Sequence, residues 1–429
     1  MNLTELHQEA LDPLTKNLPV TKTVFRHQLA EKHWNVLRED LPLPLAILNW
    51  PAVQHNARWM RDFLAETGVG IAPHGKTSMS PQLYQLQLTC GAWGITAATL
   101  QQIKVCHAFG VKRVLLANQL VGKSNIAGVL ELLKSDPQFT VYILVDSLAN
   151  LAMLREAAKV YAMGRPLPLL IEMGYVGGRA GCRDIMSAIT LAKAIREAEP
   201  YLALCGVECF EGFLVSGHPE QDAEKVRNLL ATTTQLAEQC EEQGLFSTDT
   251  IILTAGGSAF YDIVAEQWAS VRLKTPVEVV LRSGCYLTHD SLFYKKLFQS
   301  LQHRVQRSWL HGSELKPALE VWSYVQSCPE PGLVILTMGK RDCSYDIDLP
   351  IPLKWARAMQ PPSFLTNAYI IFKLDDQHAH MRVPLDCPLQ VGDMIGCGIS
   401  HPCTTFDKWR EIFVVDDDYN VVSSIKTYF

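Results

Sequence analysis

A lysine, a glycine-serine turn and a histidine–cysteine pair are the residues of this chain whose types and spacing could do chemistry. In Gly70-Ile71-Ala72-Pro73-His74-Gly75-Lys76-Thr77 an apolar run leads straight into a lysine, and Ser80-Pro81 then opens a helical pattern. The serine stands at a cap position and the proline at a favoured first helical position. An amine at the end of a buried strand can lose its proton more easily than a surface lysine and condense with a carbonyl. The plainer reading is a solvated loop lysine. In Thr254-Ala255-Gly256-Gly257-Ser258 the two glycines let backbone N–H groups approach a phosphate, and Ser258 adds a hydroxyl at a helix N-terminus, although most such turns are only turns. Near the end of the chain, Ser400-His401-Pro402-Cys403-Thr404-Thr405 reads as extended. An imidazole and a thiolate two residues apart would then point the same way and could share one ion. Two ligands are too few for a closed structural zinc site, but an open site with water and substrate in the remaining positions suits a catalytic metal.

These groups are far apart in sequence, so the fold must gather them. From about residue 69 short β-rich runs alternate with helical patterns: Gly70–Pro73, Trp93–Thr96, Arg113–Ala117, Thr140–Val145, Leu167–Glu172, Leu202–Cys209, Thr250–Thr254 and Val277–Leu281. Pro81–Thr89, Leu100–Phe109, Leu148–Met163 and Glu220–Gln243 are among the helices between them. Eight strands, each followed by a helix, predict an α/β fold of the (β/α)8 TIM-barrel type, with an open doubly wound sheet as the rival. Lys76 and the glycine-serine turn then share the C-terminal mouth, where barrel enzymes place their chemistry. After about residue 305 β-rich runs separated by Pro, Gly and Asp take over and predict a second, mostly antiparallel β domain. Residues 1–50 read as a helical lead-in plus the strand Leu45–Asn49, which joins that second domain. Residues 51–304 read as the barrel, and 305–429 as the β domain carrying the metal pair.

The 429 residues are 48% hydrophobic and 19% charged, with a net charge of -5. That balance suits an ordinary enzyme surface and argues against binding nucleic acid. The N-terminus lacks the basic-then-apolar pattern of a secretory signal, and nowhere do ~18 apolar residues run without a charge, so no membrane span is expected. Twelve scattered cysteines read as reduced thiols of a cytoplasmic protein.

Pro73-His74-Gly75-Lys76-Thr77, Gly174, Arg179-Ala180-Gly181, Gly256-Gly257-Ser258 and Arg282-Ser283-Gly284-Cys285-Tyr286 together resemble the alanine-racemase-like (fold type III) pyridoxal-phosphate (PLP) enzymes. Within them the chain is similar to the D-serine dehydratase and D-threonine aldolase branch, from about residue 45 onward. The resemblance implies PLP as cofactor, with Lys76 as its Schiff-base lysine and His74 beside it. It implies Gly256, Gly257 and Ser258 as the phosphate cradle, and Arg179, Arg282 and Tyr286 along the cofactor ring and phosphate. It also implies zinc, or another divalent metal, on His401 and Cys403, with Gln377 and His378 bordering the metal pocket. The bland reading of Asp376-Gln377-His378 is a β-turn followed by a strand. Arg341 and Asp342 read as a structural ion pair, with binding of a substrate carboxylate as the alternative. Ala72 and Ser78-Met79 depart from the branch's pattern, which has basic residues near those places and leaves substrate preference open.

The implied activity is a lyase reaction on D-3-hydroxy amino acids such as D-serine or D-threonine, a dehydration giving a 2-oxo acid and ammonia, in a homodimer. A D-threonine-type aldolase is the second reading and a racemase the third. A non-catalytic PLP-binding protein is the alternative of another class.

Overall fold

The computed structural model describes residues 1–20, 22–304 and 314–429. Eight parallel strands form its centre: β2 (Gly70–Ile71), β3 (Ile95–Ala97), β4 (Arg113–Gln119), β5 (Thr140–Val145), β6 (Leu167–Met173), β7 (Leu202–Cys209), β8 (Ile251–Ala255) and β9 (Val277–Leu281), β1 being the earlier strand Leu45–Asn49. Their Val-, Ile- and Leu-rich runs suit strands buried on both faces. They pair in the order β2-β9-β8-β7-β6-β5-β4-β3. Trp93 N–H to Ile71 O (2.7 Å) and Thr96 N–H to Pro73 O (2.9 Å) close the ring between β2 and β3. The result is a (β/α)8 barrel. Ala72, Leu115, Leu144, Leu170, Ile252 and Val280 pack together in one buried cluster, apart from the main core, as barrel interiors do.

Helices α1 (Trp50–Thr67), α2 (Pro81–Thr89), α3 (Leu100–Ala108), α4 (Lys123–Ser135), α5 (Leu148–Tyr161), α6 (Ile185–Arg196), α7 (Pro219–Glu242), α8 (Tyr261–Trp268) and α9 (Phe293–Arg304) surround the strands. Several start on side-chain caps: Asn49 accepts from Ala52 N–H, Thr99 from Gln102 N–H and Asp184 from Ser187 N–H. Ser80 occupies the cap position of α2 but donates its hydroxyl to Gln82 Oε1 (3.1 Å) instead of capping. The expected boundary at 304/305 touches residues 305–313, which lie outside the described ones.

The second domain is a ten-stranded, mostly antiparallel sheet. It holds β10 (Leu319–Glu330), β11 (Leu333–Leu336), β12 (Ile351–Ala356), β13 (Ser363–Phe364), β14 (Ile370–Leu374), β15 (Ala379–Arg382), β16 (Met394–Gly398), β17 (Glu411–Val415) and β18 (Val421–Lys426). The tenth strand, β1, precedes the barrel in sequence and pairs antiparallel with β10 and parallel with β17.

The lead-in is not mainly helical. Among its described residues are one five-residue helix, Thr4–Gln8, a two-residue antiparallel pair, Ala10–Leu11 with Val24–Phe25, and three 3-10 turns. Prolines at 13, 19, 42 and 44 deny longer helices their hydrogen bonds. Its apolar residues are used differently: Leu11, Leu29, Val36 and Leu41 are buried against Trp322 and Phe413 of the β domain. The other end of the chain returns to the barrel. Tyr428 N–H donates to Met79 O (3.0 Å), and Tyr428 O accepts from Gln101 Nε2 (2.5 Å). Among the described residues no helix is long and apolar enough to cross a membrane.

Candidate active site

The carboxyl ends of the barrel strands and the β domain enclose a cavity of about 410 Å³, within the range of small-molecule sites. The strand β2 delivers the first of its groups. Its chain ends in a 3-10 turn, Gly75–Thr77, and Lys76 projects from that turn into the cavity. Gly75 is forced to be small here, because a Cβ would lie 2.8 Å from both Ile95 Cγ2 and Tyr84 Oη. His74 lines the same wall. Burial, and then the positive charges of Lys76, Arg282 and Arg179, hold its imidazole well below the ordinary range, so it is neutral at pH 7.

Three glutamates come from the ends of β6 and β7: Glu172 and Glu208 on the strands and Glu211 just past β7. Glu172 accepts a hydrogen bond from Gln119, and Glu208 lies 2.9 Å from the Arg282 guanidinium. That contact is an ion pair without hydrogen-bond geometry, while Arg282 gives N–H groups to Thr254 Oγ1 (3.0 Å) and Cys209 O (2.9 Å). Burial pushes the Glu208 carboxyl up to about 8, against the pull of Arg282. Glu211 accepts from the N–H groups of Gly256 (3.3 Å) and Gly257 (2.5 Å), and its carboxyl too is raised by burial. Arg179 reaches the cavity from a tight loop, its guanidinium 5.1 Å and 5.2 Å from the ring centres of Phe210 and Phe213.

The second domain supplies the facing wall. His401 and Cys403 both line the cavity, but not from an extended segment: Pro402 is helical and Cys403 begins a one-turn helix, α10 (Cys403–Phe406). The proline fixes the entry angle. His401 Nδ1 is 2.6 Å from Asp346 Oδ2, and the other Asp346 oxygen takes the Thr404 hydroxyl at 2.7 Å. The His401 ring also lies within hydrogen-bonding reach of Cys403. Burial lowers its basicity but Cys403 and Asp346 outweigh that, and the imidazole rises to about 9. A hydrogen bond from Cys285 is the largest influence on Cys403, holding its thiol well below the ordinary range. Cys285 Sγ stands 3.8 Å and Thr77 Oγ1 3.5 Å from Cys403 Sγ.

Lys76, His74, Arg179, Gly257, Ser258, Arg282, His401 and Cys403 are thus brought to one cavity. Four expected site residues are not. Gly256 packs under Leu281 instead of lining the cavity, and with Gly257 it spends its N–H on Glu211. The glycine amides are therefore already satisfied, and Ser258 is what the turn presents. Tyr286 belongs to a 3-10 turn, fully buried, with its hydroxyl on Gln87 and its ring in a small separate pocket behind Ser258. Gln377 and His378 sit exposed in the turn between β14 and β15, where Asp375 N–H bonds to His378 O (2.9 Å) and Gln377 reaches Asp342 (3.1 Å). Arg341 and Asp342 do not pair with each other. Asp342 takes Lys16, and Arg341 lies 3.5 Å from Asp376.

The groups missed in sequence are Glu172, Glu208, Glu211 and Cys285. Glu172 and Glu208 had a signal, a glutamate near the end of each of two otherwise apolar strands, which is costly unless the charge is used or paired; Glu211 and Cys285 had none.

The cavity fits PLP. It offers an amine, a hydroxyl on a turn, cationic guanidinium groups, and two buried lining atoms without a hydrogen-bond partner, His74 Nδ1 and Glu208 Oε2. It also fits a divalent ion. An imidazole oriented through its far nitrogen by a carboxylate, beside an ionisable thiol, is the donor arrangement of histidine–metal sites. Among the described residues, no three His, Cys, Asp or Glu side chains are gathered round one point as they stand.

Residues 318–415, which include this pair, match the family model described as a putative serine dehydratase domain. A 3-hydroxy-D-aspartate aldolase of Paracoccus denitrificans (strain Pd 1222) is 25% identical over 315 residues, spanning 72% of this chain and 75% of that protein. Among solved structures, D-threonine aldolase from Filomicrobium marinum superposes with a TM-score of 0.74 at 20% identity, covering 90% of this chain and 95% of that one. D-threo-3-hydroxyaspartate dehydratase from Delftia sp. HT23 gives 0.71 at 18%, covering 92% and 99%. The fold is that of the alanine-racemase-like group, and in sequence the chain is similar to the D-serine dehydratase and D-threonine aldolase branch.

Proposed function

We propose that this chain is a PLP- and metal-dependent dehydratase of D-3-hydroxy amino acids such as D-serine or D-threonine, releasing a 2-oxo acid and ammonia. The observation that carries the reading is the meeting of Lys76 with the His401–Cys403 pair across one cavity. Bound there, PLP would supply an aldehyde for the substrate's amino group and a ring that spreads the charge left when the α-proton goes. A divalent ion on His401 and Cys403 would supply Lewis-acid assistance to the departing β-hydroxyl, worth several kcal/mol.

The chain's own residues do the rest. Lys76 Nζ holds the cofactor and, once free, takes the proton from the substrate's Cα. Ser258 and the guanidinium of Arg179 offer partners to phosphate and ring. Asp346 keeps the His401 ring turned with Nδ1 away from the cavity, so its other nitrogen is the one offered to an ion. Phe210, Phe213, Phe293 and Leu297 line the cavity and limit water around the reacting atoms.

A D-threonine-type aldolase is the second reading, favoured by the Paracoccus relative, because the same amine and ion could serve Cα–Cβ cleavage. The family model over residues 318–415 supports dehydration first. D-Threonine separates the two: 2-oxobutanoate with ammonia is the expected product, and glycine with acetaldehyde would overturn the dehydratase reading. Lys76→Ala should lose both turnover and the visible absorbance of the bound cofactor. A fully active variant would end the proposal. Chelation should abolish turnover while that absorbance stays.

A further inference from the structure

We infer that Cys285 is a third protein ligand of the metal site, so that the ion is held by Cys285, Cys403 and His401. The inference rests on the reading of His401 and Cys403 as a metal pair and extends it. Cys285 Sγ and Cys403 Sγ are 3.8 Å apart. Two Zn–S bonds of about 2.3 Å meeting at the tetrahedral angle hold their sulfurs about 3.75 Å apart. The separation is that of two thiolates on one zinc ion. It is too long for a disulfide, whose sulfurs stand about 2.05 Å apart.

The backbone builds this approach. A Cβ on Gly284 would lie 2.6 Å from His74 O and 2.8 Å from Thr77 Oγ1. Glycine there lets the chain pass tightly beside the lysine turn and set Cys285 against the β domain. All twelve cysteines are free thiols, and Cys285 and Cys403 are the two that line the cavity. Cys403 is the shared member, with Cys285 on one side and the His401 ring on the other. Since the sulfurs already stand at ligand separation, convergence needs adjustment of the imidazole and not of the chain.

Three protein ligands with a fourth position open is the pattern of catalytic zinc, and a two-thiolate, one-imidazole set is among its known forms. Two thiolates also select zinc over manganese or magnesium. Cys285 therefore resolves the shortage of ligands that a His-x-Cys pair leaves.

The test is zinc-edge X-ray absorption on the full-length holoenzyme with zinc as its metal. Two sulfurs at about 2.3 Å are expected in the wild type and one in Cys285→Ser, which should also bind zinc at least tenfold more weakly in chelator competition. The wild-type sulfur count decides even if a variant folds poorly. One sulfur in the wild type, kept in Cys285→Ser and lost in Cys403→Ser, would overturn the inference and leave the pair intact. No sulfur at all would overturn the pair itself.

Discussion

Asp346 never enters the cavity chemistry directly, yet the direction of His401 depends on it. Carboxylates behind ligand histidines fix the ring, and losing one costs about 10–100-fold in metal affinity. Asp346→Ala is expected to weaken zinc binding by that factor in chelator competition, while the far-ultraviolet spectrum is unchanged. An unaltered affinity would show the ring is held by other means. Glu211 has a parallel role under the glycine-serine turn. It is fully buried and satisfies two amides, so Glu211→Ala leaves both without partners and should cost about 1–3 kcal/mol in denaturant unfolding. At this scale the sequence revealed what local strings carry: Lys76 after an apolar run, and His401 with Cys403. It did not reveal Glu208, Glu211 or Cys285, because their meaning arises only when neighbouring barrel strands come side by side. Tyr286 misled for the complementary reason. A motif gives a residue's place in the chain, whereas the 3-10 turn at Cys285–Leu287 decides where its side chain goes.

Among the elements, the barrel strands were legible because uniform burial makes each an unbroken apolar run. β16 was not. Its sequence, Met394-Ile-Gly-Cys-Gly, lacks the branched density of a strand, and the cause is across the sheet: a Cβ at Gly396 would lie 2.6 Å from Trp322 Cζ2. Gly396→Ala is therefore expected to overpack this contact and destabilise the protein by about 1–3 kcal/mol, measured by thermal or denaturant unfolding. The segment between β9 and α9 carries a pH sensitivity of its own. His289 is buried there beside Phe298. Burial, with a smaller push from Lys295, lowers its imidazole from 6.5 to about 4. An unfolded chain takes up this proton near 6.5 and the folded one only near 4. Stability from this residue is thus complete above 6.5 and is lost as the pH falls towards 4, to a limit of about 3 kcal/mol. His289→Gln should show a smaller loss than the wild type across that window. An equal loss in both would remove His289 as its source.

For the molecule as a whole, the lead-in and the β domain form one core around Trp322, whose ring is fully buried and whose Nε1 donates to Glu320 Oε2 (2.9 Å). Trp322→Ala should cost about 3–5 kcal/mol, with the lead-in becoming the first segment open to hydrogen exchange. The two-domain plan could be read from the change in texture near residue 305. The irregular form of the lead-in could not, since its shape is set by the β-domain surface it covers rather than by any periodicity of its own.

The return of Tyr428 to Met79 couples a segment far along the polypeptide to the turn that carries Lys76, three residues away from that carbonyl. Tyr428→Ala would remove a ring packed edge-on to Phe109 without touching any group in the cavity. The amine would then be presented from a loosened support, so the variant should release its coenzyme faster on dilution than the wild type. Coenzyme retention at the mouth would thus report on packing well outside it.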